Sequence, residues 1–222
     1  MISQATPTER QAIPAPGGMR NCATRVVASL LGILAGLVGL FHGHFETLQG
    51  NVAPSGIFIY AMGPPCHANR VWHLCFPAVT IIPNFFVTGV LAIIVSLIVI
   101  LWAAAFVQRK YGGLVLILLS IIQFLVGGGY ISVCLGIAAG VAGRKIQAPF
   151  TWWRAHLSFH LLHVLARLWP WSLLFFFFWL AGIVLLGYFF NELVLSLVPF
   201  SFSFTLVLIL LAVLTGFAHD TQ

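Results

Sequence analysis

The stretch from Gly113 to Gly143, GLVLILLSIIQFLVGGGYISVCLGIAAGVAG, carries no charge, and whether it crosses a membrane once or twice decides on which side every later loop falls. At its centre stand Gly127, Gly128 and Gly129, a run that is costly inside a helix and permissive for a tight turn. The stretch therefore reads as a helical hairpin. A membrane setting follows from composition: 61% hydrophobic residues, 6% charged residues and a mean hydropathy of +1.07 exceed what a soluble chain of 222 residues can bury.

Charge arbitrates between one crossing and two. If the stretch crosses twice, the side holding the N-terminus also holds Arg10, Arg20, Arg25, Arg109, Lys110, Arg144, Lys145, Arg154 and Arg167, nine of the ten basic residues, and leaves Arg70 alone outside. A single crossing splits the basic residues five against five. Basic residues collect in cytoplasmic loops, so the double crossing is expected, with both termini cytoplasmic in a multi-pass protein of the cell (plasma) membrane. The same rule accounts for the net charge of +6 without nucleic acid as a partner. The cost of the hairpin is length. Two arms of about 14 residues reach about 21 Å each, short of a hydrocarbon core of about 30 Å, so neighbouring helices must shelter the turn.

The remaining segments fall into place around the hairpin. Residues 1–23 are polar, rich in Pro and Gly, and expected to be a flexible cytoplasmic tail retained in the mature protein. A first membrane helix is predicted over 24–45, where Gly32, Gly36 and Gly39 recur at near-helical spacing and permit close approach of a neighbour. An external loop, 46–82, mixes Pro, Gly, Asn and His, and its Cys66 and Cys75 are spaced for a disulfide if the compartment is oxidising. Cys22 and Cys134, by contrast, are expected to be reduced. Crossings follow at 84–107, 113–127, 129–143, 171–190 and 200–217, the first of these entered through Pro83 and left at Gln108, Arg109 and Lys110. The fold class is thus an all-α, polytopic helical bundle of six membrane segments in a single transmembrane domain spanning 24–218.

One further helix is expected at 151–168, lying in the interface. At 100° per residue His156, His160, His163 and Arg167 share an arc of about 60°, a polar stripe on an otherwise aromatic and aliphatic helix. Arg167 within that stripe argues against a bound cation there.

A second polar group stands at the outer end of the first helix: His42, His44 and Glu46. Two imidazoles and a carboxylate are a chemically sensible ligand set for a divalent metal, and His42 and Glu46 sit one helical turn apart. The plainer reading is a hydrogen-bonded pair that fixes the helix end against the loop.

The segments HGHFETLQGN, TIIPNFFVTG, AAFVQRKYGGLVLILLS, TWWRAHLS and LWPWSLL together resemble a family of uncharacterised prokaryotic multi-pass membrane proteins, from about Leu37 onward. The resemblance implies a small bacterial or archaeal membrane protein and carries no activity or catalytic residue with it. Motifs for thiol exchange, zinc proteolysis, the nucleophile elbow and the phosphate loop are all missing from the sequence. The favoured expectation is a structural or accessory membrane protein that packs against itself or a larger membrane complex, without a cofactor. The alternatives are a metal- or haem-binding redox protein using His42, His44 and Glu46, and a small transporter; membrane segments so poor in ionisable groups offer a transporter little beyond Gln123 and the glycine triplet.

Overall fold

A computed structural model describes residues 22–60 and 77–222. Four helices are long and apolar enough to cross a membrane: α1 (Cys22–Leu48), α2 (Phe85–Ala105), α6 (Phe159–Phe189) and α8 (Val198–Thr221). Their outward faces carry large apolar side chains, which suits a lipid environment. Of the six expected membrane segments, these are the four long enough to cross. The third and fourth segments form a hairpin of two shorter helices, α3 (Gly112–Leu125, 14 residues) and α4 (Tyr130–Lys145, 16 residues). At 1.5 Å per residue these reach about 21 and 24 Å.

The hairpin lies along α1. A methyl group placed on Gly32 would stand 3.2 Å from Leu116 of α3 and 3.6 Å from Ala139 of α4, and further along α1 Gly39 faces Gln123 of α3. So α3 runs parallel to α1 and α4 runs back along it. Helix α2 closes on the other side through the same small-residue face, where Gly36 faces Ile100 and Gly43 sits against the backbone of Gly89. The close packing expected of Gly32, Gly36 and Gly39 is what these contacts show. Between the helices lies a core of Val27, Leu31, Ala35, Val99, Leu116, Leu135 and Ala139, all buried.

Contacts sort the helix ends. Asp220, in the last turn of α8, accepts hydrogen bonds from the backbone N–H of Ala23 (3.0 Å) and Thr24 (2.7 Å), so a carboxylate caps the N-terminus of α1. Arg154 donates to the carbonyl of Thr221 at 2.9 Å, and Gln147 donates to the carbonyl of Gln108 at 2.6 Å. One end of the bundle therefore gathers the start of α1, the corner between α2 and α3, the segment after α4 and the end of α8. At the opposite end are the last turn of α1, the tip of the hairpin and a small antiparallel sheet of β1 (Phe58–Tyr60) and β2 (Pro77–Val79), with Ile59 opposite Ala78.

That sheet adds two short strands to a loop read as irregular, in a fold expected to be all-α. Three-residue strands carry too little alternation to be read from sequence, and they hold because Thr80 pairs with Val126 of the hairpin and Thr80 N donates to Ile57 O. Helix α1 also continues through Glu46 to Leu48 before Gly50, at φ 79°, turns the chain. Cys66 and Cys75 lie outside the described residues, so their expected disulfide does too; Cys22 and Cys134 are free thiols.

The expected interfacial helix over 151–168 and the crossing over 171–190 are also redrawn. Their boundary is at Leu157 and Ser158 rather than at Pro170. A short helix, α5 (Thr151–His156), ends in extended backbone at Leu157, and Ser158 then caps α6 by accepting from Leu161 N at 3.3 Å. Helix α6 passes through Pro170 without interruption. Pro170 has no N–H for the carbonyl of Ala166 one turn earlier, a loss that apolar helices tolerate, and Ser172 donates to the carbonyl of Trp169 at 2.8 Å. A short α7 (Asn191–Ser196) then turns the chain into α8, which has Pro199 in its first turn.

Candidate functional site at the glycine turn

Residues at i and i+4 share one face of a helix, and His42 and Glu46 share the face of α1 that is turned inward: they are 2% and 0% exposed. What covers them is the glycine run of the hairpin. Gly127 and Gly129 have φ of 96° and 83°, a left-handed region that side chains avoid, so glycine is required by conformation at both positions. It is required by space as well. A methyl group on Gly127 would come within 2.5 Å of Glu46 Oε1, and one on Gly129 within 2.6 Å of His42 Nε2.

The turn is held from three directions. Gly127 N donates to Val79 O at 2.9 Å and Ile81 N donates to Leu125 O at 3.0 Å, joining the tip to the strand segment outside. From within the turn Gly128 N donates to Gln123 O at 2.8 Å. Gln123 in turn is fully buried and donates through Nε2 to Ser96 Oγ of α2 (2.7 Å) and the carbonyl of Ala35 of α1 (3.2 Å). One amide thus joins three helices immediately beneath the turn. Beside it the hydroxyls of Thr80 and Thr88 are hydrogen-bonded at 2.5 Å.

Several polar atoms of this layer have no partner among the described residues. They are Nδ1 of His42, both carboxyl oxygens of Glu46, Oε1 of Gln123 and Oγ of Ser132, each buried. Apart from the imidazole and hydroxyl, whose protons are placed by their surroundings, this set consists of acceptors without donors. The expected hydrogen bond between His42 and Glu46 is not made, and packing against glycine backbone takes its place.

The other expected site residues fall elsewhere. His44 is two residues from His42 and so about 200° round the helix; it is exposed and its ring lies 5.4 Å from that of Phe45. The set of His42, His44 and Glu46 therefore does not assemble, and among the described residues no group of three or more His, Cys, Asp or Glu side chains is placed to hold a metal ion. His156, His160, His163 and Arg167 are all exposed, His156 on α5 and the other three in the first turns of α6. Within the stripe His156 stacks on Trp152 at 4.7 Å and His163 on Phe159 at 6.2 Å. Sequence reasoning missed Ser96, Ser132 and Asp220. The first two had a signal available, since a hydroxyl in an otherwise aliphatic membrane helix marks the face that meets another helix.

Comparison with protein-family models, with curated proteins and with solved structures returns no match to this chain.

Proposed function

We propose that the protein is a multi-pass plasma-membrane protein of structural or accessory type, with both termini cytoplasmic, whose glycine turn locks a short hairpin onto α1. The observation that carries this reading is the filling of the space beside His42 and Glu46 by the backbone of Gly127 and Gly129, with no room for an added methyl group and hence none for a haem or an organic substrate. The other intramembrane polar groups are likewise engaged in joining helices: Gln123 to Ser96, Ser172 to Thr215 at 2.8 Å, and Trp179 to Thr205 at 2.9 Å. Topology is supported by charge. Arg25, Arg109, Lys110, Arg144, Lys145, Arg154 and Arg167 all belong to the end of the bundle that holds the start of α1 and the end of α8.

A second reading, a small cation transporter, is favoured by the unpartnered polar atoms of Glu46, Gln123 and Ser132, since ionisable groups beside interrupted helices are where such sites are built. The position of Glu46 weighs against it, two residues from the end of α1 rather than at mid-depth. Purified protein separates the readings. A structural role requires no Soret band, no stoichiometric metal, no cation flux in proteoliposomes, and a His42→Ala variant that is less stable by about 2 kcal/mol or more because a cavity opens under Gly129. Cation flux that disappears in a well-folded Glu46→Gln variant would overturn the structural reading in favour of transport, and loss of a cofactor from a well-folded His42→Ala variant would overturn it in favour of redox chemistry.

A further inference from the structure

At the basic end of the bundle the corner between α2 and α3 and the residues after α4 enclose an open groove of about 800 Å³. Its walls carry Arg109, Lys110 and Gln147, and Gln108, Trp102 and Tyr111 complete them over a floor of Gly112 and Val115. Among the described residues no carboxylate pairs with either cation. Of the acidic residues described, Glu46 and Glu192 are at the opposite end and Asp220 is engaged by the N-terminus of α1. Arg109 and Lys110 are exposed, and Lys110 is held over the Tyr111 ring at 5.4 Å. Two unpaired cations beside a Trp and a Tyr at the end of apolar helices make the chemistry of a phosphate held at headgroup depth.

Gln108 also lines the groove, its amide nitrogen used on the carbonyl of Ala105 (2.8 Å) and its Oε1 enclosed by the protein. An ammonium headgroup would cancel the negative charge that the two cations attract, so the ligand is an anionic headgroup.

We propose that this groove binds the phosphate of an anionic phospholipid. The site requires that the long helices cross a bilayer, but it is independent of the role assigned to the glycine turn, and its failure would leave that role untouched.

The test is native mass spectrometry of the delipidated full-length protein with phosphatidylglycerol, phosphatidic acid, phosphatidylcholine, inorganic phosphate and glycerol 3-phosphate. Wild type should retain phosphatidylglycerol over phosphatidylcholine, and the double variant Arg109→Gln/Lys110→Gln should lose about tenfold or more in that affinity. The matched variant Arg25→Gln/Arg167→Gln removes the same charge elsewhere on this end and should keep the affinity. Equal losses in the two double variants would overturn the site by reducing it to general charge attraction. Displacement of the lipid by inorganic phosphate or glycerol 3-phosphate at millimolar concentration would overturn the lipid as its ligand and make it a site for a soluble phosphate.

Discussion

Helices α1 to α4 and the pair α6 and α8 solve the same problem in different materials. In the first group, half of the most apolar stretch of α1 is buried within the protein; in the second, only 22% of the corresponding stretch of α6 is. The first is built on glycine and alanine, which bring backbones together and leave polar side chains such as Gln123 and Glu46 sealed inside. The second is built on aromatics, with Phe175 edge-on to Phe204 at 6.2 Å and Trp179 against the same ring at 4.6 Å, and it turns Phe178, Tyr188 and Phe189 outward. Small residues give an interface that tolerates no added atom. Aromatics give one that can adjust, because rings keep contact over a range of positions.

The largest expected effect comes from adding one carbon to each group. Gly127→Ala and Gly129→Ala force a side chain into positive φ and against Glu46 or His42, and each should abolish accumulation of folded protein in membranes. Gly182→Ala on α6 meets nothing within 4 Å and should leave yield and melting temperature unchanged or raise the latter. Equal tolerance at all three positions would remove the contrast between the two groups.

A smaller difference is expected from polar joins. Gln123→Leu deletes two hydrogen bonds shared by three helices and should cost about 1–3 kcal/mol in a detergent unfolding assay. Ser172→Ala, which loses the bond to Thr215, should cost about 0.6 kcal/mol, the usual worth of a hydroxyl pair between membrane helices. If the second change proved the larger, the polar lock would belong to the aromatic half.

The smallest effect is expected at the lipid-facing surface. Phe178→Ala, at a position 68% exposed, should change stability by less than Phe176→Ala, at a position 0% exposed. A marked loss of stability or of complex formation on Phe178→Ala would show that this face meets protein instead of lipid. Reporter fusions sharpen the same picture in space: those after Lys110, Lys145 and Gln222 should read cytoplasmic and one after Glu192 external, and an external reading at Lys145 would break the hairpin.

What the sequence disclosed follows the same division. The hairpin could be read because Gly127 to Gly129 and the absence of charge around them are local signals, and so could the small-residue face of α1. The burial of His42 and Glu46 under that turn could not, because it depends on which helix the hairpin lies along. His44 was grouped with them by proximity in sequence, although a helix places residues two apart on opposite faces. Pro170 misled for a related reason: its local tendency to end helices is overridden where backbone groups have no water to turn to and continue the helix instead. Asp220 gave no local signal, since its partners lie 197 and 196 residues away.

That separation gives the cap on α1 a place in time. Helix α1 waits for the Asp220 carboxylate while the 196 residues after Thr24 are made, about 10–40 s at about 5–20 residues per second. During that interval the first turn of α1 presents bare N–H groups at the bilayer surface, free to engage water, a headgroup or an insertion factor. Closing the bundle then amounts to exchanging that temporary acceptor for a permanent one, a step that has to await the synthesis of α8. A ribosome stalled before Asp220 would hold the protein inserted but unlatched.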